Sequence, residues 1–182
     1  MSITKAYDGY YNMFKVDRVE FASRKDVPFI QGNEKPDCVS IIAKHYHCPS
    51  CINDMDYKLA VVCQHRPTIG HAIIELPAGK IDPGETPIEA GRRELKEETG
   101  LTMLTRVAEQ RGRAFPSVGI TDESHVIVSC LCTGELSTEY LGKNEKIIPR
   151  LLSTEELLKL LDGDVAIDAK LLSFIYGLKY LT

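Results

Sequence analysis

The sequence predicts a mixed α/β (α+β) fold built around a mixed β-sheet. Short apolar runs of strand length recur between residues 38 and 133, a capped helical pattern interrupts them at residues 86–98, and helical patterns close the chain. The 182 residues, 43% of them hydrophobic, suit one domain with a substantial core. We therefore divide the chain into an N-terminal strand-rich segment, residues 1–37, and a main domain, residues 38–182.

The strands before the central helix are predicted from alternation and β-branched content. Residues 14–21 alternate apolar and polar side chains, which predicts a strand. Residues 38–46 and 57–64 are apolar and β-branched, and the polar segment between them predicts a hairpin loop. Residues 72–76 predict another short strand, and Pro83-Gly84 marks a turn before the helix.

The central helix carries signals at both of its ends. Thr86 can cap it, Pro87 suits the first helical position, and Glu89 lies three residues after the cap. Gly100 is well placed to end the helix. Four more elements are expected after it: strands at residues 106–110 and 125–133, and helices at residues 153–161 and 168–181.

Charge and composition exclude several classes of function. The net charge of −4 and the absence of a basic stripe argue against a nucleic-acid partner. No run approaches 18 apolar residues, and the N-terminus lacks the apolar region of a signal peptide, so we expect no membrane association. Four cysteines lie in apolar, strand-like runs, which fits reduced thiols in a cytoplasmic protein: Cys38, Cys63, Cys130 and Cys132.

One face of the central helix concentrates acidic side chains. Glu94, Glu97 and Glu98 have helical spacings of three and four residues, so they project from the same side and repel one another. Such a triplet by itself is typical of a solvated helix. A hard divalent cation would remove the repulsion, because carboxylate oxygens are the ligands that Mg²⁺ prefers. Arg93 lies four residues before Glu97 and can brace a carboxylate from the side.

Residues 79–101 resemble the Nudix box, G-x5-E-x7-R-E-U-x-E-E-x-G-U, in which U is aliphatic. Every fixed position of the motif is satisfied. The matching residues are Gly79, Glu85, Arg93, Glu94, Leu95, Glu97, Glu98, Gly100 and Leu101. Nine constraints at fixed spacing rarely coincide by chance, so the resemblance is specific.

The Nudix resemblance implies an α/β/α sandwich with a loop–helix–loop metal site. It implies that Mg²⁺, with Mn²⁺ as a substitute, assists hydrolysis of a nucleoside diphosphate linked to another group. By matching position, Glu94, Glu97 and Glu98 would bind the metal, and Glu85 would be a supporting ligand. Arg93 would orient these carboxylates. The carbonyl of Ala78 would be an additional ligand, since Gly79 lets the backbone approach the metal closely.

Residues around the box resemble the ADP-ribose pyrophosphatase branch of that family. The strand end Gln64-His65-Arg66, the lead-in Glu75–Gly79 and a proline at position 116 all match the branch. The loop 117–123 departs from it at Val118, where the branch often has proline. The resemblance therefore implies ADP-ribose as substrate, with AMP and ribose 5-phosphate as products. Other nucleotide sugars, an oxidised nucleotide, or a non-catalytic nucleotide-sensing module are the alternatives.

The same resemblance suggests roles outside the box. Arg66 would contact the substrate phosphates, and Glu123 would lie by the terminal ribose or the metals. The catalytic base would be a carboxylate of the loop 134–145, for which Glu145 is favoured slightly over Glu139. The branch often binds adenine with the N-terminal segment of a partner subunit, which suggests a homodimer. The aromatic candidates for this contact are Phe21, Phe29 and Tyr46.

The segment His45-Tyr46-His47-Cys48-Pro49-Ser50-Cys51 contains residues that can bind zinc. Structural zinc sites normally draw a second ligand pair from a separate segment, whereas all four groups here fall within seven residues. A hairpin tip with two reduced cysteines is therefore favoured, and the zinc alternative stays open.

Overall fold

The computed structural model shows two sheets and three α-helices among the residues that it describes. It describes residues 3–7, 9, 11–16, 19–23, 35–46, 57–143 and 145–181. The strands are β1 (Ile3–Tyr7), β2 (Asn12–Val16), β3 (Val19–Ser23), β4 (Cys38–His45), β5 (Lys58–Arg66), β6 (His71–Glu75), β7 (Ala78–Lys80), β8 (Thr102–Ala114), β9 (His125–Thr133) and β10 (Ile147–Ser153). The helices are α1 (Pro87–Thr99), α2 (Thr154–Lys159), which continues as a 3-10 turn over Leu160–Asp162, and α3 (Ala169–Leu181).

The main sheet is mixed, as predicted. Its strand order is β10-β5-β4-β9-β8, with β6 paired to β5 and β7 paired to β4. Strands β4 and β9 are parallel, in a register that places Cys38 beside His125, and the other pairs of this sheet are antiparallel. Strand β4 pairs with β7 near its start and with β5 near its end. This change of partner brings Ala78 and Gly79 beside β4 and close to α1.

Helices cover both faces of the main sheet. Alternate residues of β4 face α1, where Val39 and Ile41 pack in one core cluster with Leu95. A second cluster joins Leu59 of β5 to Leu171 of α3 and to α2. The predicted sandwich with a mixed sheet is therefore confirmed. In the described parts of the chain, none of the helices combines the length and the hydropathy needed to cross a bilayer.

The predicted signals of the central helix are confirmed. The Thr86 side chain accepts a hydrogen bond from the backbone N–H of Glu89, whose carboxylate accepts one from the Thr86 N–H in return. Gly100 ends the helix in the left-handed region at φ 77°, where a Cβ would meet the backbone of Ser137. Both ends of α1 are thus fixed, and so is the face that its side chains present.

The N-terminal prediction of one strand over residues 14–21 is wrong. Val16 pairs with Val19, so the chain reverses between them and forms the antiparallel strands β2 and β3. An alternating pattern looks the same in one strand as in two strands joined by a tight turn, which is why the sequence did not reveal the reversal. Strands β1, β7 and β10 were not predicted: β7 has three residues, and β10 contains Pro149, which its position at the sheet edge tolerates.

The predicted thiols lie where the apolar strands place them. Cys38, Cys130 and Cys132 are buried and Cys63 is half-buried, and all four are thiols. Burial raises the pKa of the Cys130 thiol to about 12, so this thiol stays protonated at neutral pH. Residues 47–56, which contain the Cys48 and Cys51 of the zinc alternative, lie outside the described residues.

Candidate functional site

The carboxylate face of α1 turns toward the edge where β7 joins β4. Glu98 is buried, with 8% of its surface exposed, and its Oε2 accepts a hydrogen bond from the Ala78 N–H at 3.0 Å. Glu94 lies one turn earlier on the same face and is half-buried. A Cβ at Gly79 would overlap the Glu94 carboxylate. Only glycine therefore allows the backbone and this carboxylate to approach so closely.

Arg93 holds the acidic residues in place from the outside of the helix. Its Nε and Nη2 donate to both oxygens of Glu85, each at 2.9 Å. Its Nη1 donates to Glu94 at 2.8 Å and to Glu97 at 3.2 Å, and Nη2 also reaches the Lys80 carbonyl. The planar guanidinium can serve so many acceptors because its donors are arranged as a fixed fork. Arg93 thus links three of the glutamates to one another and to the Lys80 carbonyl.

A cavity of about 670 Å³ opens in front of these carboxylates. Glu94 and Glu98 line it from α1, whereas Glu97 and Glu85 do not reach its lining. Arg66 at the end of β5 and Lys170 at the start of α3 add positive charge, and Glu145 adds a further carboxylate. The cavity has the size of sites that bind small molecules. It also brings carboxylates, which are suitable ligands for a divalent cation, together with positively charged side chains that can bind phosphate oxygens.

Two ion pairs fix the cations of this cavity. Arg66 donates from Nε and Nη2 to the two oxygens of Glu75 at 2.6 and 2.7 Å. The bidentate bond with Glu75 raises the pKa of Arg66, so its charge is permanent. Lys170 Nζ lies 2.9 Å from Asp168 Oδ2. Both side chains are therefore held at the wall before any ligand arrives.

The electrostatics of the carboxylates favour a bound cation. Burial, together with the charges of Glu94, Glu145 and Glu75, raises the pKa of Glu98 to about 8. Burial is also the largest cause that raises the pKa of Glu94, against the influence of Arg93. A cation placed among these oxygens would lower both pKa values and remove their mutual repulsion. The donor set, carboxylate oxygens and backbone carbonyls, fits a hard divalent cation.

A second cavity of similar size also borders α1. Neither Glu94 nor Glu98 lines it, although Glu85 and Arg93 of the Nudix box do; its lining also includes Glu89, Arg92, Lys96 and Met103. We therefore place the functional site in the cavity that holds the buried carboxylates.

Comparisons with known proteins agree with this geometry. The model of the NUDIX domain matches residues 45–173, which is more than half of the chain. The chain belongs to the Nudix family. A putative nudix hydrolase 2 from Caenorhabditis elegans is 32% identical over 68% of the chain, and an ADP-ribose pyrophosphatase from Bacillus subtilis is 34% identical over 68%. The matched regions cover 59% and 65% of these two relatives, which is less than two thirds of either one.

A solved structure shows the same fold. The crystal structure of an ADP compounds hydrolase superposes with a TM-score of 0.70 at 16% identity, covering 100% of this chain and 91% of that one. At this identity the similarity concerns the fold. It confirms the Nudix architecture that the box predicted.

The residues that the Nudix resemblance suggested outside the box do not all line the cavity. Arg66, Glu123 and Glu145 join Glu94 and Glu98 in the cavity lining. Glu139 is exposed in the same loop as Glu145 but lies outside that lining. Of the aromatic candidates, Tyr46 is 3% exposed and packs beside Tyr57, and Phe21 is half-buried beside Phe14. Phe29 lies outside the described residues.

Several lining residues were not predicted from the sequence. Glu75 stands in the lead-in to the Nudix box, so a signal existed, but its bond to Arg66 depends on the antiparallel pairing of β5 with β6. Lys170 is far from the box in sequence and no motif marks it. Cys38 and His125 look like ordinary strand residues until the parallel register of β4 and β9 places them side by side.

Proposed function

We propose that this chain is a Mg²⁺-dependent hydrolase that cleaves the pyrophosphate of ADP-ribose to AMP and ribose 5-phosphate. The observation that carries the proposal is the cavity that combines the Nudix carboxylates Glu94 and Glu98 with the fixed cation Arg66. The names of the relatives, ADP-ribose pyrophosphatase and ADP compounds hydrolase, support ADP-containing substrates. We also propose a cytoplasmic enzyme, since the described cysteines are thiols.

The residues proposed to hold Mg²⁺, or Mn²⁺ in its place, are Glu94, Glu97, Glu98 and the Ala78 carbonyl, with Glu85 in support. When bound, the metal supplies charge that polarises the diphosphate and lowers the pKa of a water molecule. Glu98 is held by the Ala78 N–H, so one of its oxygens is already oriented. Arg93 bridges Glu85, Glu94 and Glu97, and its positive charge offsets the repulsion among these carboxylates.

The chain's own side chains would bind the substrate and move the proton. Arg66 would bind the phosphate oxygens while its two hydrogen bonds to Glu75 hold the guanidinium in one orientation. Glu145 is the residue that we assign to accept the proton of the attacking water on its carboxylate. Its Oε2 accepts a hydrogen bond from the Gly142 N–H at 3.0 Å, which fixes the carboxylate at the cavity. Glu139 is the weaker alternative, since it lies outside the lining.

Adenine binding is proposed to involve a homodimer. Phe21 is on β3 of the N-terminal sheet, and its half-buried ring leaves surface for a base to stack on. The N-terminal segment of one subunit would then complete the site of the other. Tyr46 would need to leave the core before it could present a ring face.

The first experiment measures Mg²⁺-dependent hydrolysis of ADP-ribose with identification of the products. We expect AMP and ribose 5-phosphate, and no products without the metal. A panel of nucleotide sugars and an oxidised nucleotide run in parallel would rank the alternatives. If only another compound of the panel were hydrolysed, that compound would replace ADP-ribose as the assigned substrate. The loop around Val118 would then be the first segment to test for a role in substrate choice. Tight binding of ADP-ribose without turnover of any compound would favour a nucleotide-sensing module.

Gly79→Ala is expected to weaken Mg²⁺ binding and lower kcat/KM by at least about tenfold, because the new Cβ would displace the Glu94 carboxylate. The matched control is Gly177→Ala on α3, where an added Cβ meets nothing within 4 Å. This control should keep wild-type activity and gain slight stability from helix propensity. Mg²⁺ titration of activity provides the measurement. Equal Mg²⁺ dependence in the two variants would contradict the proposal that the Glu94 carboxylate beside Gly79 binds Mg²⁺.

Arg66→Lys is expected to raise KM for ADP-ribose by about tenfold with a smaller effect on kcat, since a point charge replaces a bidentate fork. Arg92→Lys on the outer side of α1 is the matched control, because Arg92 lines the cavity that lacks the buried carboxylates. Steady-state kinetics of both variants against the parent would test this. An unchanged KM in Arg66→Lys would remove Arg66 from the phosphate site.

A further inference from the structure

Three side chains outside the Nudix carboxylates converge on the same cavity. Cys38 opens β4, His125 opens the parallel strand β9, and Glu123 lies two residues before His125. Their ligand atoms, a thiol sulfur, an imidazole nitrogen and a carboxylate oxygen, all lie within 4.8 Å of one another. All three residues line the cavity, and Cys38 and His125 are only 4% and 7% exposed.

These three groups differ in chemistry from the carboxylates of α1. Sulfur and imidazole are ligands of Zn²⁺ and similar cations, whereas Mg²⁺ prefers oxygen. Ligand atoms around a tetrahedral Zn²⁺ are roughly 3–4 Å apart, so a contraction of about 1 Å would bring all three ligand atoms to bonding distance from one cation. Three protein ligands leave a fourth position, and the cavity supplies the space for a water or a ligand there.

A buried neighbour already orients the imidazole. Ser40, with no exposed surface, places its Oγ 2.9 Å from His125 Nδ1. His125 Nε2 then points at Glu123 Oε1, 3.2 Å away. A hydrogen-bond partner on one ring nitrogen is the usual means by which proteins fix a histidine that binds metal through the other. In the tautomer that carries its proton on Nδ1, this N–H donates to Ser40 Oγ and the Nε2 lone pair faces the Glu123 carboxylate. A cation between Nε2 and Glu123 would then take the place of the proton that Nε2 donates to Glu123 in the other tautomer.

We propose that Cys38, Glu123 and His125 form a second cation site, selective for a thiophilic divalent cation of the Zn²⁺ class. The site shares the cavity with the Nudix carboxylates but draws its ligands from the paired starts of the parallel strands β4 and β9 and from Glu123, just before β9. The inference concerns binding and does not depend on the reaction proposed above. It also differs from the zinc alternative at Cys48 and Cys51, since it uses neither of those residues.

The test uses Co²⁺ as a spectroscopic probe on the reduced, metal-free full chain with excess Mg²⁺ present. Co²⁺ bound by a thiolate shows a sulfur-to-metal charge-transfer band in the near ultraviolet, which oxygen ligands do not give. We expect one equivalent of Co²⁺ to produce this band and Zn²⁺ to abolish it. Cys38→Ser should lose the band. The matched controls Cys63→Ser and the double variant Cys48→Ser/Cys51→Ser should keep it.

Two further variants keep the proposal testable if Cys38→Ser does not fold. Glu123→Gln and His125→Asn should retain the thiolate band but require at least about tenfold more Co²⁺ to reach it. No band in the parent protein, or a band that survives in Cys38→Ser, would overturn the proposal. So would a band that disappears in the double variant of Cys48 and Cys51, because the cation would then be bound by those two cysteines.

Discussion

Glu98→Gln is expected to reduce Mg²⁺-dependent turnover of ADP-ribose by about 10³-fold, which corresponds to roughly 4 kcal/mol of transition-state stabilisation. The substitution removes a negative charge at nearly constant shape. Glutamine can still accept the hydrogen bond from the Ala78 N–H, so the local backbone should be preserved. Glu98 is buried and lines the cavity, so the substitution removes a charge directly at the proposed metal position. The measurement is kcat and kcat/KM at saturating Mg²⁺.

Two other glutamates provide a graded comparison for this variant. Glu97 has a side chain that is 42% exposed and lies outside the cavity lining, so Glu97→Gln should lose less activity than Glu98→Gln. Glu139→Gln, in an exposed loop, should stay close to the parent. A comparable loss of activity in Glu139→Gln would favour the alternative assignment, in which Glu139 accepts the proton of the attacking water. Unchanged turnover in both Glu97→Gln and Glu98→Gln would refute the metal-ligand assignment.

The sequence predicted the part of the fold that depends on local signals. The capping box at Thr86, the terminal Gly100 and the apolar runs of β4, β5 and β9 each belong to one short segment. It did not predict the change of partner along β4, because pairing between distant strands leaves no trace in either strand alone. The reversal between β2 and β3 was hidden for the related reason that alternation continues through it.

The functional site also has a part that local sequence signals predict and a part that depends on contacts between distant segments. The Nudix box marks the α1 carboxylates because helical spacing alone places them on one face. The opposite walls of the cavity come from β5, β9 and α3, and only tertiary structure brings Lys170, His125 and Glu75 to it. Glu145 and Glu139 could not be separated by sequence, since both are acidic residues of one loop. The path of that loop places Glu145, and not Glu139, in the cavity lining.

The metal-free protein is expected to lose stability as the pH rises from about 4.5 to 8, and Glu98 should account for much of this loss. Burial raises the pKa of Glu98 from its ordinary 4.5 to about 8. The folded protein therefore keeps a proton on Glu98 over a range in which the unfolded chain has released it. The stabilisation is fully present below the unfolded pKa and is lost as the pH approaches the folded one. The full loss is on the order of 4 kcal/mol, of which about 3 kcal/mol falls between pH 5.5 and pH 8.

Urea unfolding in a chelator between pH 5.5 and pH 8 would measure this loss as a fall in the free energy of unfolding. Glu98→Gln carries no titrating group at this position, so its free energy of unfolding should change less with pH and should exceed that of the parent at pH 8 by about 2 kcal/mol. In Glu139→Gln, the free energy of unfolding should change with pH as it does in the parent.

Mg²⁺ should stabilise the parent more at pH 8 than at pH 5.5, because the cation binds the ionised carboxylate. If the free energy of unfolding of Glu98→Gln fell with pH as steeply as that of the parent, groups other than Glu98 would cause the loss of stability. Glu94, whose pKa is also raised by burial, would then be the next residue to replace.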